Sequence, residues 1–143
     1  MISSPLLNEK TAKTLAKLDK VCFLKDAWSK KDWLSYFSDT IEVYFMSENN
    51  KIIGYIVWDI NRISGIAYLA SIAILSKYQG KGNAKKLLTY NIEDLTKMGI
   101  TTLFAHTRMT NYPSQKLLKS FGFSINSYAS GYYYDEDGIE WKK

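Results

Sequence analysis

The 143-residue chain has a single cysteine, Cys22, and a single histidine, His106. One thiol cannot close an internal disulfide, so nothing in the sequence supports a secreted, disulfide-held scaffold. One imidazole and one thiol are also too few soft ligands for zinc, and no carboxylate cluster suggests another ion, so no metal is expected. Long apolar runs are missing as well. The longest, "KIIGYIVWDI", is too short and too interrupted to cross a bilayer. The first residues, "MISSPLLNEKTAK", lack the apolar stretch of a signal peptide. A cytoplasmic protein with no membrane partner is the expectation. No repeat, linker or low-complexity tract divides the sequence, and its length suits one core, so residues 1–143 read as one domain.

Hydrophobic residues make up 46% of the chain, enough to fill that core and to exclude wholesale disorder. Eleven tyrosines and four tryptophans are many for this length, so some should line a groove. The net charge of +5 points to an anionic partner without separating a nucleotide from RNA or an acidic protein.

Local patterns give an order of elements. Residues 9–22 place Ala12, Leu15, Ala16, Leu18 and Val21 near one face at helical spacing. "AWSKKDWLSYF" reads as a second helix, capped by Ser29, with Trp33, Leu34 and Phe37 facing inward. "IEVYFMS" and "KIIGYIVWDI" alternate like strands around an Asn-rich turn, "ENN". "GIAYLASIAIL" is apolar enough to be a central strand buried on both faces. Ala84 to Met98 forms a helix with Leu87, Leu88, Ile92 and Leu95 on one face, ended by Gly99. A strand "ITTLFAHTR", a short helix "PSQKLLKSFGF", a strand "FSINSYA" and a hairpin around "DEDG" complete the chain. The class is α/β (α+β): a single domain with a mixed central sheet flanked by helices.

The stretch "KYQGKGNAKKLL" sets two glycines in front of the long helix. Glycine there costs helix stability, but it lets an anion approach the unpaired N–H groups of a helix N-terminus. The spacing is not a Walker A loop, and a dinucleotide fingerprint would need glycine at Lys85. Arg/Gln-x-x-Gly-x-Gly/Ala after a buried strand fits Gln79 to Ala84 at every fixed position.

From about Ala67 to Gly138 the sequence resembles the GCN5-related N-acetyltransferases (GNAT), and within them the ribosomal-protein alanine N-acetyltransferases. "SIAILSKYQGKGNAKKLL" resembles their coenzyme-A segment, "TLFAHTRMTNYPSQKLLKSFGF" the following strand and helix, and "YYYDEDGIE" their C-terminal hairpin. The resemblance implies acetyl-CoA as cosubstrate. Its pyrophosphate would lie on the N–H groups of Gln79, Gly80, Lys81, Gly82, Asn83 and Ala84, with its pantetheine arm beside Ile72, Ala73 and Ile74. Asn111 and Ser114 would contact the arm from the other side, and Lys77, Lys81, Lys85 and Lys86 would surround the phosphates.

The same family places a glutamate base where this chain has His106, and a tyrosine acid where it has Leu118. A histidine of ordinary pKa, about 6.5, matches an α-amine at about 7.7–8.0 far better than a lysine at about 10.4. Tyr132, Tyr133 and Tyr134 are candidates for the missing acid, with Tyr133 taken forward. Phe23, Trp28 and Trp33 read first as core and second as a substrate wall. Cys22 reads as a small buried hydrophobe, since direct attack by an amine needs no acyl-enzyme.

The expected function is acetyl transfer from acetyl-CoA to a primary amine, first a protein or peptide N-terminus. A small amine or polyamine, the amino acid of a charged tRNA, and an acyl-CoA-binding module without turnover are the alternatives. The chain is expected as a monomer or homodimer.

Overall fold

The structure, a computed structural model, describes residues 1–143. Helix α1 (Glu9–Cys22) starts at Asn8, whose side chain accepts from the Thr11 N–H and satisfies one of the donors a helix leaves open. Its inner face runs through Ala12, Leu15 and Leu18 as the spacing implies, but then through Asp19 rather than Val21, which is 60% exposed. Helix α2 (Lys30–Tyr36) is held by a reciprocal cap in which Ser29 accepts from Asp32 N–H and the Asp32 carboxylate accepts from Ser29 N–H. Strands β2 (Ile41–Glu48) and β3 (Lys51–Asn61) meet in a turn whose two residues, Asn49 and Asn50, have φ of 52° and 64°. Asparagine tolerates that left-handed conformation, which matches the twist of a hairpin.

Strand β4 (Ile66–Ile74), helix α3 (Asn83–Lys97) and β5 (Thr102–Arg108) form a parallel crossover. Helix α4 (Tyr112–Ser120) and the hairpin β6 (Ser124–Tyr133) and β7 (Glu136–Lys142) follow, and a short β1 (Ile2–Ser3) edges the sheet. The seven strands lie in the order β1-β2-β3-β4-β5-β7-β6, antiparallel everywhere except between β4 and β5. One core, including Trp58, Leu87, Leu88, Leu95 and Trp141, fills one side of the sheet. A second, including Ala12, Leu15, Trp33, Val43 and Tyr55, fills the other under α1 and α2. No helix is long and apolar enough to cross a membrane.

Two further expectations fail, both for reasons of pairing. β4 is not buried on both faces: Tyr68 is 45% exposed and Ala70 is exposed too. Its pairing with β5 ends at Leu69↔Ala105, and beyond that pair the two strands part. The C-terminal hairpin turns at Tyr134–Asp135 rather than around "DEDG". Asp137 is drawn away from the turn because its carboxylate accepts the Gly131 N–H at 2.7 Å, at a bulge where Gly131 has φ of 64°.

Asn91 on α3 is fully buried between the two layers: its Oδ1 accepts from Trp58 Nε1 at 2.8 Å and its Nδ2 donates to Leu87 O at 2.8 Å. Asn91→Leu leaves the indole N–H buried without an acceptor, which costs about 1–3 kcal/mol. Urea unfolding of Asn91→Leu, Trp58→Phe and the double variant should show losses that are less than additive. Strict additivity would mean the two side chains do not interact energetically.

Candidate active site

Where β4 and β5 separate, the sheet opens into a cleft of about 920 Å³. Openings at the C-terminal ends of parallel strands are where α/β sheets bind ligands, since no main-chain partner fills the gap. From Ser71 to Ile74, β4 pairs only with β3 and leaves its other edge facing the cleft. The register passes from Val57↔Ser71 to Trp58↔Leu69, so Ala70 is an extra residue bulged out at the point of separation. Ile72 lines the cleft. Ala73 turns its side chain into the α1/α2 core, so only its backbone can meet a ligand. The Ile74 carbonyl is already occupied, accepting from Gln79 Nε2 at 2.7 Å.

β4 runs on through a short helical turn, Ser76–Tyr78, into the glycine loop and α3. Gly80 and Gly82 have φ of 73° and 80°, a backbone that side chains rarely adopt. A Cβ at either would meet no protein atom within 4 Å, so it is open approach and not internal packing that the loop preserves. Gly82 is the N-cap of α3 and contributes no side-chain cap. As a result the N–H groups of Gly80, Lys81, Gly82, Asn83, Ala84 and Lys85 have no acceptor within the chain. Gln79 departs from the expectation. Its N–H is donated to Ser76 O at 3.2 Å, and both it and Asn83, whose Nδ2 donates to Tyr78 O at 2.9 Å, brace the loop. The amines of Lys77 and Lys81 lie 5.8 and 5.9 Å from the Tyr78 ring centre, joined by Lys51 from β3 at 5.9 Å. Lys51 was not foreseen, because the hairpin that carries it is remote in sequence.

Asn111 caps α4, its Oδ1 accepting the Ser114 N–H at 3.3 Å, and both residues line the cleft across from β4. His106, Tyr132, Tyr133 and Leu118 line the same space. The imidazole lies flat against Tyr132, with ring centres 4.4 Å apart and planes 3° from parallel. Its Nε2 is 3.4 Å from Oε2 of Glu140, the residue directly opposite on β7. Burial pushes the Tyr133 hydroxyl up to about 12, with Tyr132 adding to the shift and Arg108 opposing it. The Arg108 guanidinium carbon sits 4.5 Å from the centre of the Tyr133 ring. Leu118 is buried and apolar, so the α4 position offers no proton donor. The glycine loop does not line this cavity and lies beyond the end of β4.

The α1/α2 side of the cleft is walled by Phe23, Trp28 and Trp33, although Trp33 also belongs to the core. Their anchor is Asp19, 3% exposed, which accepts from Trp28 N–H and Trp33 Nε1 at 3.2 Å each and from the Tyr55 hydroxyl. Burial raises the Asp19 pKa while these donors lower it, and burial prevails. Arg108 ties the two rims together, reaching Asp26 (3.1 Å) after α1 and Asp135 and Glu136 at the β6–β7 turn. Cys22 is half-buried, and burial raises its thiol pKa, with Asp19 adding to the effect; both oppose thiolate formation. Sequence reading missed Asp19, Arg108 and Glu140, since a single charged residue in an amphipathic segment looks like a solvated one.

The chain has recognisable relatives. Ribosomal protein bS18-alanine N-acetyltransferase of Escherichia coli strain K12 is 28% identical over 113 residues, covering 79% of this chain and 75% of the relative. The crystal structure of the ribosomal-protein-S18-alanine N-acetyltransferase from Escherichia coli has the same fold, with a TM-score of 0.87 at 24% identity over 99% of this chain and 92% of that one. A Bacillus subtilis acetyltransferase in complex with CoA superposes with a TM-score of 0.79 at 18% identity, covering 99% and 95%. The sequence profile of the acetyltransferase (GNAT) family matches residues 12–123, from within α1 through α4 to the residue before β6, and the chain belongs to that family.

Proposed function

We propose that this acetyl-CoA-dependent N-acetyltransferase acts on the α-amine of a protein or peptide N-terminus, with His106 as base and Tyr133 as acid. The observation that carries the reading is a lone imidazole lining the cleft that the unpaired edge of β4 also lines. Relatives named for the alanine of a ribosomal protein support an α-amine as acceptor.

Acetyl-CoA supplies a thioester whose carbonyl carbon is attacked by the amine and whose thiolate then leaves. The free N–H groups from Gly80 to Lys85, with Lys51, Lys77 and Lys81 close by, fit a polyanion and anchor the pyrophosphate. The open edge of β4, Asn111 and Ser114 hold the arm in line with the cleft. His106 takes the proton that the amine loses as its nitrogen bonds to carbon. Tyr133, protonated at neutral pH, returns a proton to the sulfur as the carbon–sulfur bond breaks. A thiol pKa near 8.5 means the departing thiolate needs little help from an acid at neutral pH, which fits an enzyme whose α4 position is leucine.

At pH 7 roughly a tenth of an α-amine is neutral, against well under a thousandth of a lysine amine. N-terminal peptides should therefore release thiol from acetyl-CoA while peptides with only lysine amines do not. His106→Ala should lose about tenfold or more in turnover with unchanged acetyl-CoA binding. A wild-type rate in that variant would leave proton removal to water.

Tyr133→Phe tests the acid: kcat should fall about tenfold or more while KM for acetyl-CoA holds. Equal kcat would reduce Tyr133 to packing beneath Arg108. Gly82→Val tests the cradle, since the branched side chain stands in the path of the ligand; acetyl-CoA affinity should drop about tenfold or more. Undiminished binding would remove the loop from phosphate recognition. Added salt should weaken coenzyme A binding more than binding of a pantetheine fragment. Equal salt dependence of the two would show that the lysines do not serve the phosphates.

A further inference from the structure

A carboxylate base presents equivalent oxygens, but a neutral imidazole has one donor and one acceptor nitrogen, and only the second can take a proton. A histidine in this place therefore needs a partner that decides where its proton sits. We propose that Glu140 is that partner: a positioning residue that holds the proton of His106 on Nε2 and leaves Nδ1 as the proton acceptor in the cleft. This rests on the reading of His106 as base.

The geometry is specific to this pair. His106 and Glu140 are directly opposite in the β5–β7 ladder, so backbone pairing fixes their separation. Glu140 Oε2 is 3.4 Å from Nε2, and the two side chains are only 25% and 21% exposed. The other oxygen, Oε1, accepts from Asn126 Nδ2 at 2.6 Å, which orients the carboxylate from the far side. Tyr132 stacks on the ring and blocks its rotation toward β6. The distance is longer than an ideal hydrogen bond, as catalytic contacts commonly are before substrate is bound. An ionised carboxylate only accepts, so a hydrogen bond formed as this pair closes up is donated by Nε2. When His106 takes the amine's proton on Nδ1, the imidazolium keeps Nε2–H directed at Glu140, and no bond other than N–H changes at the pair.

Glu140→Gln makes the sharpest test. Asn126 continues to donate to the amide oxygen, so the new NH₂ group faces Nε2 and turns it into an acceptor. The proton is then driven to Nδ1, the wrong nitrogen for catalysis. Because His106 is the only histidine, an imidazole ¹⁵N spectrum of the uniformly labelled protein shows one ring and reads the tautomer directly. The expected result is Nε2–H in the wild type and Nδ1–H in Glu140→Gln. The same variant should lose about ten- to a hundredfold in kcat, with KM for acetyl-CoA unchanged. Glu140→Asp keeps the charge and should retain the Nε2–H tautomer with part of the rate restored. An unmoved tautomer or an unmoved kcat in a folded Glu140→Gln overturns the proposal. His106→Ala separates the two readings: if it is slow while Glu140→Gln is fast, only the role of Glu140 fails, and if it is fast, the base itself does.

Discussion

The parallel pairing of β4 with β5 lasts for four residue pairs, Ile66↔Thr102 to Leu69↔Ala105, and then stops. Everything functional in the molecule hangs on that termination. Each strand keeps its other neighbour, β3 for β4 and β7 for β5, so the split opens without leaving either strand unsupported. The bulge at Ala70 marks where β4 turns away. A sheet held on both flanks and parted in the middle is rigid on each side of an empty slot, which suits a site that must align two substrates. The α3 crossover spans the same split, and its N-terminus therefore emerges at the end of the slot with its donors free.

Two polar nodes shape the α1/α2 side of the cleft and its rim. Asp19 gathers Trp28, Trp33 and Tyr55 onto α1, so the aromatic wall is part of the core below it. A buried carboxylate is costly unless its acceptor sites are filled, and here three donors fill them. Arg108 does the corresponding work at the rim, joining the segment after α1 to the β6–β7 turn through Asp26, Asp135 and Glu136. Its hydrogen bond holds Asp135 below the usual carboxylate range. These contacts are largely solvated, so their role is to fix geometry more than to add stability.

Features set by neighbours in sequence were legible in it. The Ser29 cap, the Asn49–Asn50 turn and the buried face of Leu87, Leu88 and Leu95 follow from local chemistry. So did the glycine loop, because φ above zero at two spaced positions leaves few residue choices. Features set by pairing across the sheet were not. β4 reads as doubly buried because its composition is apolar, while its exposure depends on how far β5 accompanies it. Val21 fits the helical stripe of α1, yet the helix is rotated toward Asp19 by bonds to residues on α2 and β3. Glu140 gains its meaning only from standing opposite His106, on a strand that follows β5 by a helix and another strand.

The bulge at Gly131 has a further consequence, for how this chain tolerates changes in length. Between the pairs Ala129↔Gly138 and Tyr133↔Glu136, β6 takes four residue steps against two on β7, and because side chains alternate along a strand this count sets which of two adjacent tyrosines lies on the imidazole and which lies under Arg108. Deleting either Ser130 or Gly131 would look, on the surface, like trimming an edge strand. It would in fact change by one the count that joins the two tyrosines to the rest of β6, and so strain the placement of both rings beside His106 and Arg108. The outermost strand of the sheet, where insertions and deletions are ordinarily absorbed without harm, is here counted residue by residue.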